Sequence, residues 1–235
     1  TRIVDPEVHI NRILHQAKKD LQLDKKPFHI ECFDNSNLGG TNPVASCVVF
    51  KNGKPSKKDY RQFKIQNIDG PDDFASMEQV IYRRLKRLSE EKEPLPNLII
   101  VDGGKGQLSS GLKSIKKLGL ENDIAIIGIA KKLEEIYKPN DKLPLYIDKK
   151  SETLKLIQQL RNEAHRFAIK FHRDRRSKNA LKSEIDTIKG VGPVLKDKLL
   201  GKYKSFKRLR NVEENELIAY LGKSRGKLVY NQLQN

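Results

Sequence analysis

The chain has 235 residues, of which 37% are apolar and 33% charged, and its formal net charge is +17. This length predicts one or two domains with a modest hydrophobic core. So large a positive excess is typical of proteins that bind polyanions, because Lys and Arg displace counterions from phosphates. Nucleic acid is favoured over a membrane surface. The longest apolar runs are far shorter than the roughly 20 residues that cross a bilayer, which excludes a membrane-spanning helix.

No signal-peptide pattern opens the chain. Its two cysteines, Cys32 and Cys47, both lie in apolar runs of the kind that form strands. Buried free thiols in a reducing, cytoplasmic environment are therefore favoured over a disulfide. No Cys/His cluster has the spacing of a zinc site.

The first segment, residues 1–27, is predicted to form a helix from Pro6 to Leu23 and a short linker. Apolar residues recur along it at a helical period. Because the chain does not begin with Met and this helix precedes the first domain, we expect the chain to be a piece of a longer protein.

Residues 28–180 are predicted to form one α/β domain with the order β-β-β-α-β-α-β-α. This order implies a mixed five-stranded sheet flanked by helices, in which the first and fourth strands are parallel neighbours. A turn is predicted at residues 35–40 and another at Asn52-Gly53. The predicted strands are Phe28–Asp34, Pro43–Phe50, Tyr60–Ile65, Asn97–Asp102 and Ile124–Ile129, and the predicted helices cover about 71–91, 106–118 and 152–178.

Residues 184–235 are predicted to form a separate, small helical domain in which the pattern helix–tight turn–helix occurs twice. The first turn is Gly190-Val191-Gly192. Such a turn leaves N–H groups at the start of the next helix that can bind a phosphate without reading bases. The second turn, Gly222-Lys223, lacks the Gly-x-Gly form, so phosphate binding there is the weaker prediction. The alternative at both places is an ordinary turn between two helices.

Two of the predicted strands end in an aspartate, Asp34 in the first and Asp102 in the fourth. Ligands collect outside the carboxyl ends of parallel strands. Carboxylates at that edge can bind Mg²⁺ or Mn²⁺, which polarises a phosphate and activates water. The alternative is that each aspartate only caps the turn or helix that follows it. The occurrence of both in this topology, on so basic a chain, favours a metal site.

The segment Gly103-Gly104-Lys105-Gly106 follows Asp102 directly. Its spacing differs from that of a P-loop, which needs four residues between its first Gly and Gly-Lys-Ser/Thr. The glycines instead predict a close approach of the backbone to a nucleic-acid strand, with Lys105 contacting a phosphate. A tight strand-to-helix turn is an equally good explanation.

The last predicted helix of the α/β domain carries polar residues beside its apolar stripe. At 100° per residue, Arg161, His165 and His172 lie along one border of that stripe. His165 could therefore face the rim of the sheet as a general base, a proton donor to a leaving oxygen or a metal ligand. The alternative is a polar spacer on the helix surface.

Five strings, taken together and in this order, resemble the carboxyl-terminal half of the bacterial UvrC family, the excision nuclease of nucleotide excision repair. The resemblance covers about residues 28–235. It implies an RNase H-like endonuclease domain followed by a tandem helix-hairpin-helix domain. The strings are Glu31-Cys-Phe-Asp34, Val44-Ala-Ser46, Asp59-Tyr-Arg61-Gln-Phe-Lys-Ile65, Asp102-Gly-Gly-Lys-Gly-Gln107 and Arg161-Asn-Glu-Ala-His-Arg-Phe-Ala168.

The resemblance also implies a function and a set of residues. The catalytic triad of the family carries over onto Asp34, Asp102 and His165, with Mg²⁺ or Mn²⁺ held by the two aspartates. The family makes the incision on the 5′ side of a lesion, in damaged duplex or bubble DNA that UvrB hands over and with UvrA in the wider pathway. Further candidates for holding the DNA strand or the site geometry are Lys105, Arg161, Arg166, His172 and Arg175.

The sequence departs from the family pattern in two respects. Asn35-Ser36-Asn37 follows Asp34 where Ile-Ser-His is expected, so a histidine function at that place is not expected. The family's amino-terminal nuclease and UvrB-contacting segment are not in these residues, so we expect neither 3′ incision nor normal recruitment by UvrB. Two other functions stay open: a non-catalytic DNA-binding adaptor on a nuclease fold, and a different RNase H-like nuclease such as a junction resolvase or a ribonuclease.

Overall fold

A computed structural model describes residues 5–36, 44–65, 72–130 and 135–234. The chain divides into two compact units, Thr1–Ile169 and Lys170–Asn235. None of the described helices is long and apolar enough to cross a membrane.

A mixed sheet of seven strands forms the centre of the first unit. Its strands are β1 His29–Ser36, β2 Val44–Lys51, β3 Lys54–Pro55, β4 Arg61–Lys64, β5 Leu98–Asp102, β6 Ala125–Ile129 and β7 Ile136–Tyr137. β1 pairs with β2 in antiparallel and with β5 in parallel orientation, and β6 continues the parallel part beside β5. The parallel strands β5 and β6 consist mostly of Val, Leu and Ile, as expected for strands covered on both faces.

All five predicted strands are present, and the β1–β5 pair is the predicted parallel pair. The predicted end of the first strand at Asp34 was wrong, because β1 stays paired with β2 through Ser36. The predicted number of strands was too low, because β3 and β7 are also part of the sheet. Each has only two residues, too few to leave an alternating pattern in the sequence. Pro43, Pro71 and most of the turn predicted at 35–40 lie outside the described residues.

Four helices contribute to the first unit: α1 Pro6–Asp20, α2 Asp73–Glu90, α3 Lys105–Lys117 and the first half of α4 Glu152–Thr187. Leu14 and Leu21, in α1 and just after it, pack into the same core as the sheet, so the amino-terminal helix is part of this unit. α4 is longer than predicted, because no Gly or Pro interrupts it before the glycines of the first hairpin. The predicted apolar stripe of α4 is buried at Leu154, Ile157, Leu160, Ala164 and Ala168.

The second unit is helical. It contains the end of α4 and α5 Pro193–Lys202, α6 Phe206–Arg210, α7 Glu214–Leu221 and α8 Lys223–Gln234. Both predicted hairpins turn at a glycine in the left-handed region, Gly190 with φ +82° and Gly222 with φ +87°. Gly226 has a different function: a Cβ added there would lie 2.6 Å from the backbone of Ile218, so only glycine lets α7 and α8 pack this closely.

A buried ionic cluster joins β1 to α2. The Glu31 side chain is 0% exposed and accepts hydrogen bonds from Nη2 and Nε of Arg84, at 2.6 and 3.0 Å. His29 Nε2 lies 3.2 Å from the same carboxylate, and the Cys47 thiol donates to it at 3.4 Å. Burial alone would raise the pKa of Glu31, but the hydrogen bonds from His29 and Arg84 lower it below its ordinary value. Glu31 is therefore a charged carboxylate in the core, held by a charged partner.

Substitution of Arg84 by Met is expected to lower the free energy of unfolding by about 3–5 kcal/mol, because it leaves the buried Glu31 carboxylate without its charged partner. The chain contains no Trp, so urea denaturation followed by far-UV circular dichroism is the suitable measurement.

The matched control is Arg87→Met in the same helix. Arg87 pairs with Glu91 at 2.8 Å, but its side chain is 60% exposed, so its loss is expected to cost less than about 1 kcal/mol. Equal losses in the two variants would show that the Glu31–Arg84 pair does not stabilise the fold beyond an ordinary surface pair.

Candidate active site

Asp34 and Asp102 lie side by side at the carboxyl edge of the parallel strands. The β1–β5 register pairs Phe33 with Val101, so the next residue of each strand, Asp34 and Asp102, continues the pairing on the same face of the sheet. Adjacent strands are about 4.8 Å apart. Two carboxylates at this separation are close enough to share one small cation.

Both aspartates are buried. Asp34 is 1% exposed and Asp102 is 7% exposed. Their joint field acts on Cys32, which lies two residues before Asp34 on the same face. Burial raises the pKa of the Cys32 thiol well above its ordinary value, the charges of Asp102 and Asp34 raise it further, and the charge of Arg161 opposes them. Cys32 therefore remains a neutral thiol, and Arg161 acts on the same region as the two carboxylates.

His165 reaches this edge from α4. Its Nδ1 lies 3.3 Å from Oδ2 of Asp34, and its side chain is 55% exposed whereas that of Asp34 is 1% exposed. The imidazole thus contacts a buried carboxylate on one side and remains open to solvent on the other. Of the three residues to which the family resemblance assigns catalysis, His165 thus contacts Asp34 directly, and the strand register places Asp102 beside Asp34.

Ser46 ties the helix that carries His165 to the sheet. It is the register partner of Asp34 in the antiparallel β1–β2 pair, and it is 1% exposed. Its hydroxyl donates a hydrogen bond of 3.0 Å to the backbone carbonyl of Ala164, the residue before His165. One side chain therefore links the strand beside Asp34 to the turn of α4 that presents the imidazole. The sequence analysis did not identify this function of Ser46.

Two of the residues that were predicted to contact the DNA strand are engaged with other protein groups. Arg166 binds both oxygens of Glu163 at 2.7 Å, and Glu163 also accepts from the hydroxyl of Tyr60 at 3.2 Å. Burial and the Glu163 carboxylate raise the pKa of Tyr60, which remains a hydrogen-bond donor. Lys105 donates to the carbonyl of Lys142, and its ammonium lies 5.3 Å from the ring centroid of Tyr137. Neither cation makes a described contact with the two aspartates.

The remaining predicted residues belong to the second unit. His172 is 7% exposed, with its ring 6.3 Å from that of Phe171, and Arg175 is half-buried. In the first hairpin, the Val191 N–H donates to the Ile188 carbonyl. Gly192 is the N-cap of α5 and makes no side-chain cap hydrogen bond, so the N–H groups at that helix start have no capping side chain.

The carboxylate oxygens at this edge of the sheet are suitable ligands for a hard divalent cation. Two carboxylates are the ligands that Mg²⁺ prefers, and Mg²⁺ commonly takes one or two of them and completes its shell with water and substrate phosphate. Within the described ranges there is no group of three His, Cys, Asp or Glu side chains arranged around one point. The residues present thus fit a cation held by the two aspartates, with the imidazole of His165 beside it.

Comparison with known families identifies the first unit. A model of the UvrC RNAse H endonuclease domain matches residues 18–169, which is more than half of the chain. The chain belongs to this family. The match includes Asp34, Asp102 and His165 and all seven strands of the sheet.

Close relatives extend the similarity over both units. The UvrABC system protein C of Flavobacterium psychrophilum is 63% identical and aligns with 100% of this chain and 40% of its own length. That of Christiangramia forsetii is 61% identical, over 98% of this chain and 38% of its own length. The chain thus spans about two fifths of these relatives. Endonuclease V of Bacillus subtilis has a TM-score of 0.37 at 13% identity, over 73% of this chain and 95% of that one.

Substitution of Ser46 by Ala is expected to loosen the turn of α4 around Ala164 and His165. The hydrogen bond that it removes contributes about 1 kcal/mol, so backbone amides in that turn are expected to exchange with deuterium roughly fivefold faster. Hydrogen–deuterium exchange measured by mass spectrometry on peptides of α4 tests this.

Ser114→Ala is the matched control. Ser114 is 0% exposed, and its hydroxyl donates to a helix carbonyl, that of Glu78, at 2.6 Å. Its loss is expected to speed exchange in α2 and to leave α4 unchanged. If both variants leave α4 unchanged, Ser46 does not hold the helix.

Proposed function

We propose that this chain is a divalent-metal-dependent DNA endonuclease that makes the 5′ incision of nucleotide excision repair. The observation that carries the proposal is the pair of buried carboxylates, Asp34 and Asp102, side by side in the sheet with His165 3.3 Å from one of them. Relatives called UvrABC system protein C support the repair pathway. Membership of an endonuclease-domain family supports cleavage rather than binding alone.

Asp34 and Asp102 would hold Mg²⁺ or Mn²⁺ at this edge. A divalent cation bound there polarises the scissile phosphodiester and promotes attack by water. The protein contributes the fixed separation of the two carboxylates, because hydrogen-bonded strands set it before any ligand arrives. Burial keeps competing water away from them and strengthens their attraction for a cation.

His165 would transfer protons during the cleavage step. When its Nδ1–H donates to the Asp34 carboxylate, its Nε2 carries the lone pair. That nitrogen can accept a proton from the attacking water or, once protonated, give one to the leaving oxygen. Asp34 would then have two functions, since it also orients the imidazole. The exposure of the His165 side chain leaves room for a phosphate beside it.

The positive charge of the chain and its second unit would hold the DNA. The turns at Gly190-Val191-Gly192 and Gly222-Lys223 offer backbone N–H groups and exposed cations to phosphates, which binds DNA without reading its sequence. The charge of Arg161 acts on the Cys32 thiol, as the charges of the two carboxylates do, and Arg161 would contact a phosphate bound at this edge. UvrB would deliver the damaged DNA, with UvrA acting earlier in the pathway.

Asp34→Asn and Asp102→Asn are each expected to lower the rate of nicking on bubble DNA by at least about a hundredfold, because each removes a charged cation ligand. DNA affinity is expected to change less than threefold, roughly, since phosphate contacts dominate it. A nicking assay with Mg²⁺ or Mn²⁺ and a binding titration without them give the two numbers.

Asp59→Asn is the control, because Asp59 is a carboxylate of the same unit that pairs with Lys51 at 2.7 Å, outside the site. Mg²⁺ is also expected to raise the melting temperature of the wild type, and both active-site variants are expected to lose that rise. Normal nicking by both variants places the chemistry elsewhere. Preference for RNA–DNA hybrids or four-way junctions favours a ribonuclease or resolvase, and binding without nicking favours an adaptor.

Lys223→Ala combined with Arg225→Ala tests the second hairpin, where both side chains are exposed. The plot of log affinity against log salt concentration is expected to become less steep by about 0.9 for each phosphate that the double variant no longer binds. Fluorescence anisotropy with duplex DNA at several salt concentrations measures the slope.

Lys19→Ala combined with Lys25→Ala removes the same charge from exposed positions in and just after α1 and is expected to leave the slope nearly unchanged. Equal effects of the two double variants would mean that net charge, and not the hairpin, sets the salt dependence.

A further inference from the structure

The first turn of α2 carries an aromatic ring that the proposed chemistry does not use. Phe74 is 52% exposed, whereas Met77, Val80 and Ile81 of the same helix are 0% exposed. A single exposed apolar side chain is ordinary on a protein surface. Whether the exposed ring of Phe74 has a function therefore depends on its position in the fold.

Phe74 lies beside the segments that carry both aspartates. On one side, the Asn35 amide, next to Asp34, donates a hydrogen bond of 2.9 Å to the backbone carbonyl of Asp73. On the other side, the ring lies against Gly106, four residues after Asp102. A Cβ added at Gly106 would lie 2.2 Å from Cε1 of Phe74. The ring is thus placed at the same edge of the sheet as the carboxylates, over a glycine that leaves room for it.

The start of α2 is capped by a side chain. The Asp72 carboxylate accepts hydrogen bonds from the backbone N–H groups of Phe74 and Ala75, at 3.0 and 2.9 Å. This cap fixes the first turn, and a phenyl ring has only two side-chain torsions. A ligand that binds the ring therefore orders few additional degrees of freedom.

On the basis of the function proposed above, we infer that Phe74 stacks on an unpaired nucleobase of the DNA strand bound at the Asp34–Asp102 edge. Gly106 covers one side of the ring and the exposed part faces solvent. Every base has a flat π face, so a ring in this position binds bases without sequence preference. The net charge of +17 on the chain favours a nucleic acid over an apolar protein as its partner.

This contact makes the site prefer DNA with unpaired bases over fully paired duplex DNA. In duplex DNA each base is already stacked on its neighbours, so no base face is free for the ring. In a bubble the bases near the cleaved bond are unpaired and can turn onto Phe74. The ring thus favours locally opened DNA and sets the position of the strand relative to the carboxylates.

Binding of bubble and fully paired DNA of the same length, measured without divalent cation, tests the inference. Phe74→Ala is expected to weaken bubble binding on the order of tenfold or more, and to leave duplex binding within about twofold. Phe74→Leu, which keeps an apolar contact with Gly106 but has no ring, is expected to show the same loss. Phe74→Tyr is expected to bind as the wild type does.

Phe28→Ala is the matched control, because Phe28 is 44% exposed but precedes β1 at the opposite end of the strand from Asp34. It is expected to leave both affinities unchanged. 2-Aminopurine placed at successive unpaired positions locates the contact: its fluorescence is expected to be quenched at one or two positions by the wild type and not by Phe74→Leu.

Three outcomes overturn the inference: unchanged bubble binding by Phe74→Ala, full bubble binding by Phe74→Leu, or equal losses on bubble and duplex DNA. Since no cleavage is needed, these outcomes are independent of the nuclease proposal. A chain that does not nick but prefers bubbles through Phe74 would contradict the proposed chemistry only. A chain that nicks and is indifferent to Phe74 would contradict this inference only.

Discussion

The parallel register of β1 with β5 is the constraint on which the candidate site depends. It places Asp34 beside Asp102 at the point where the parallel pairing of β1 with β5 ends. A shift by one residue would turn one of the two side chains to the opposite face. The hydrogen bonds between the buried strands therefore fix the distance between the two carboxylates, so a ligand does not have to bring them together. Such preorganisation lets a site bind a cation and a phosphate with little rearrangement.

Side chains of β1 and β2 anchor one helix on each face of the sheet. On one face, the buried Glu31–Arg84 pair fixes β1 to α2. On the other face, Ser46 beside Asp34 fixes α4 through the Ala164 carbonyl. Hydrogen bonds to charged groups are among the stronger ones in proteins, and their loss in a core is costly. The helix that carries Phe74 is thus anchored to β1 at Glu31, and the helix that carries His165 is anchored to β2 at Ser46, beside Asp34.

The residues of the site differ in how far the sequence could identify them. Asp34 and Asp102 could be found because each ends a run of apolar residues, a signal that lies within one segment. His165 could be found as a polar residue at the border of a helical stripe, and the family resemblance assigned it a function. Ser46 leaves no such signal, because a Ser inside a strand is common. Phe74 resembles an ordinary helix residue until the ring is seen against Gly106.

The amino-acid pattern alone was enough to predict the main elements, their order, the aspartates that follow the apolar runs of β1 and β5, and the glycine hairpins of the second unit. These features depend on local periodicity and on the backbone preferences of single residues, which act over a few positions. The folded chain was needed to find the two short strands, the bond from Ser46 to a carbonyl 118 residues away, and the engagement of Lys105 and Arg166 away from the carboxylates. Those features depend on how distant segments pack, because periodicity fixes which face of an element is buried but not which side chains meet across it.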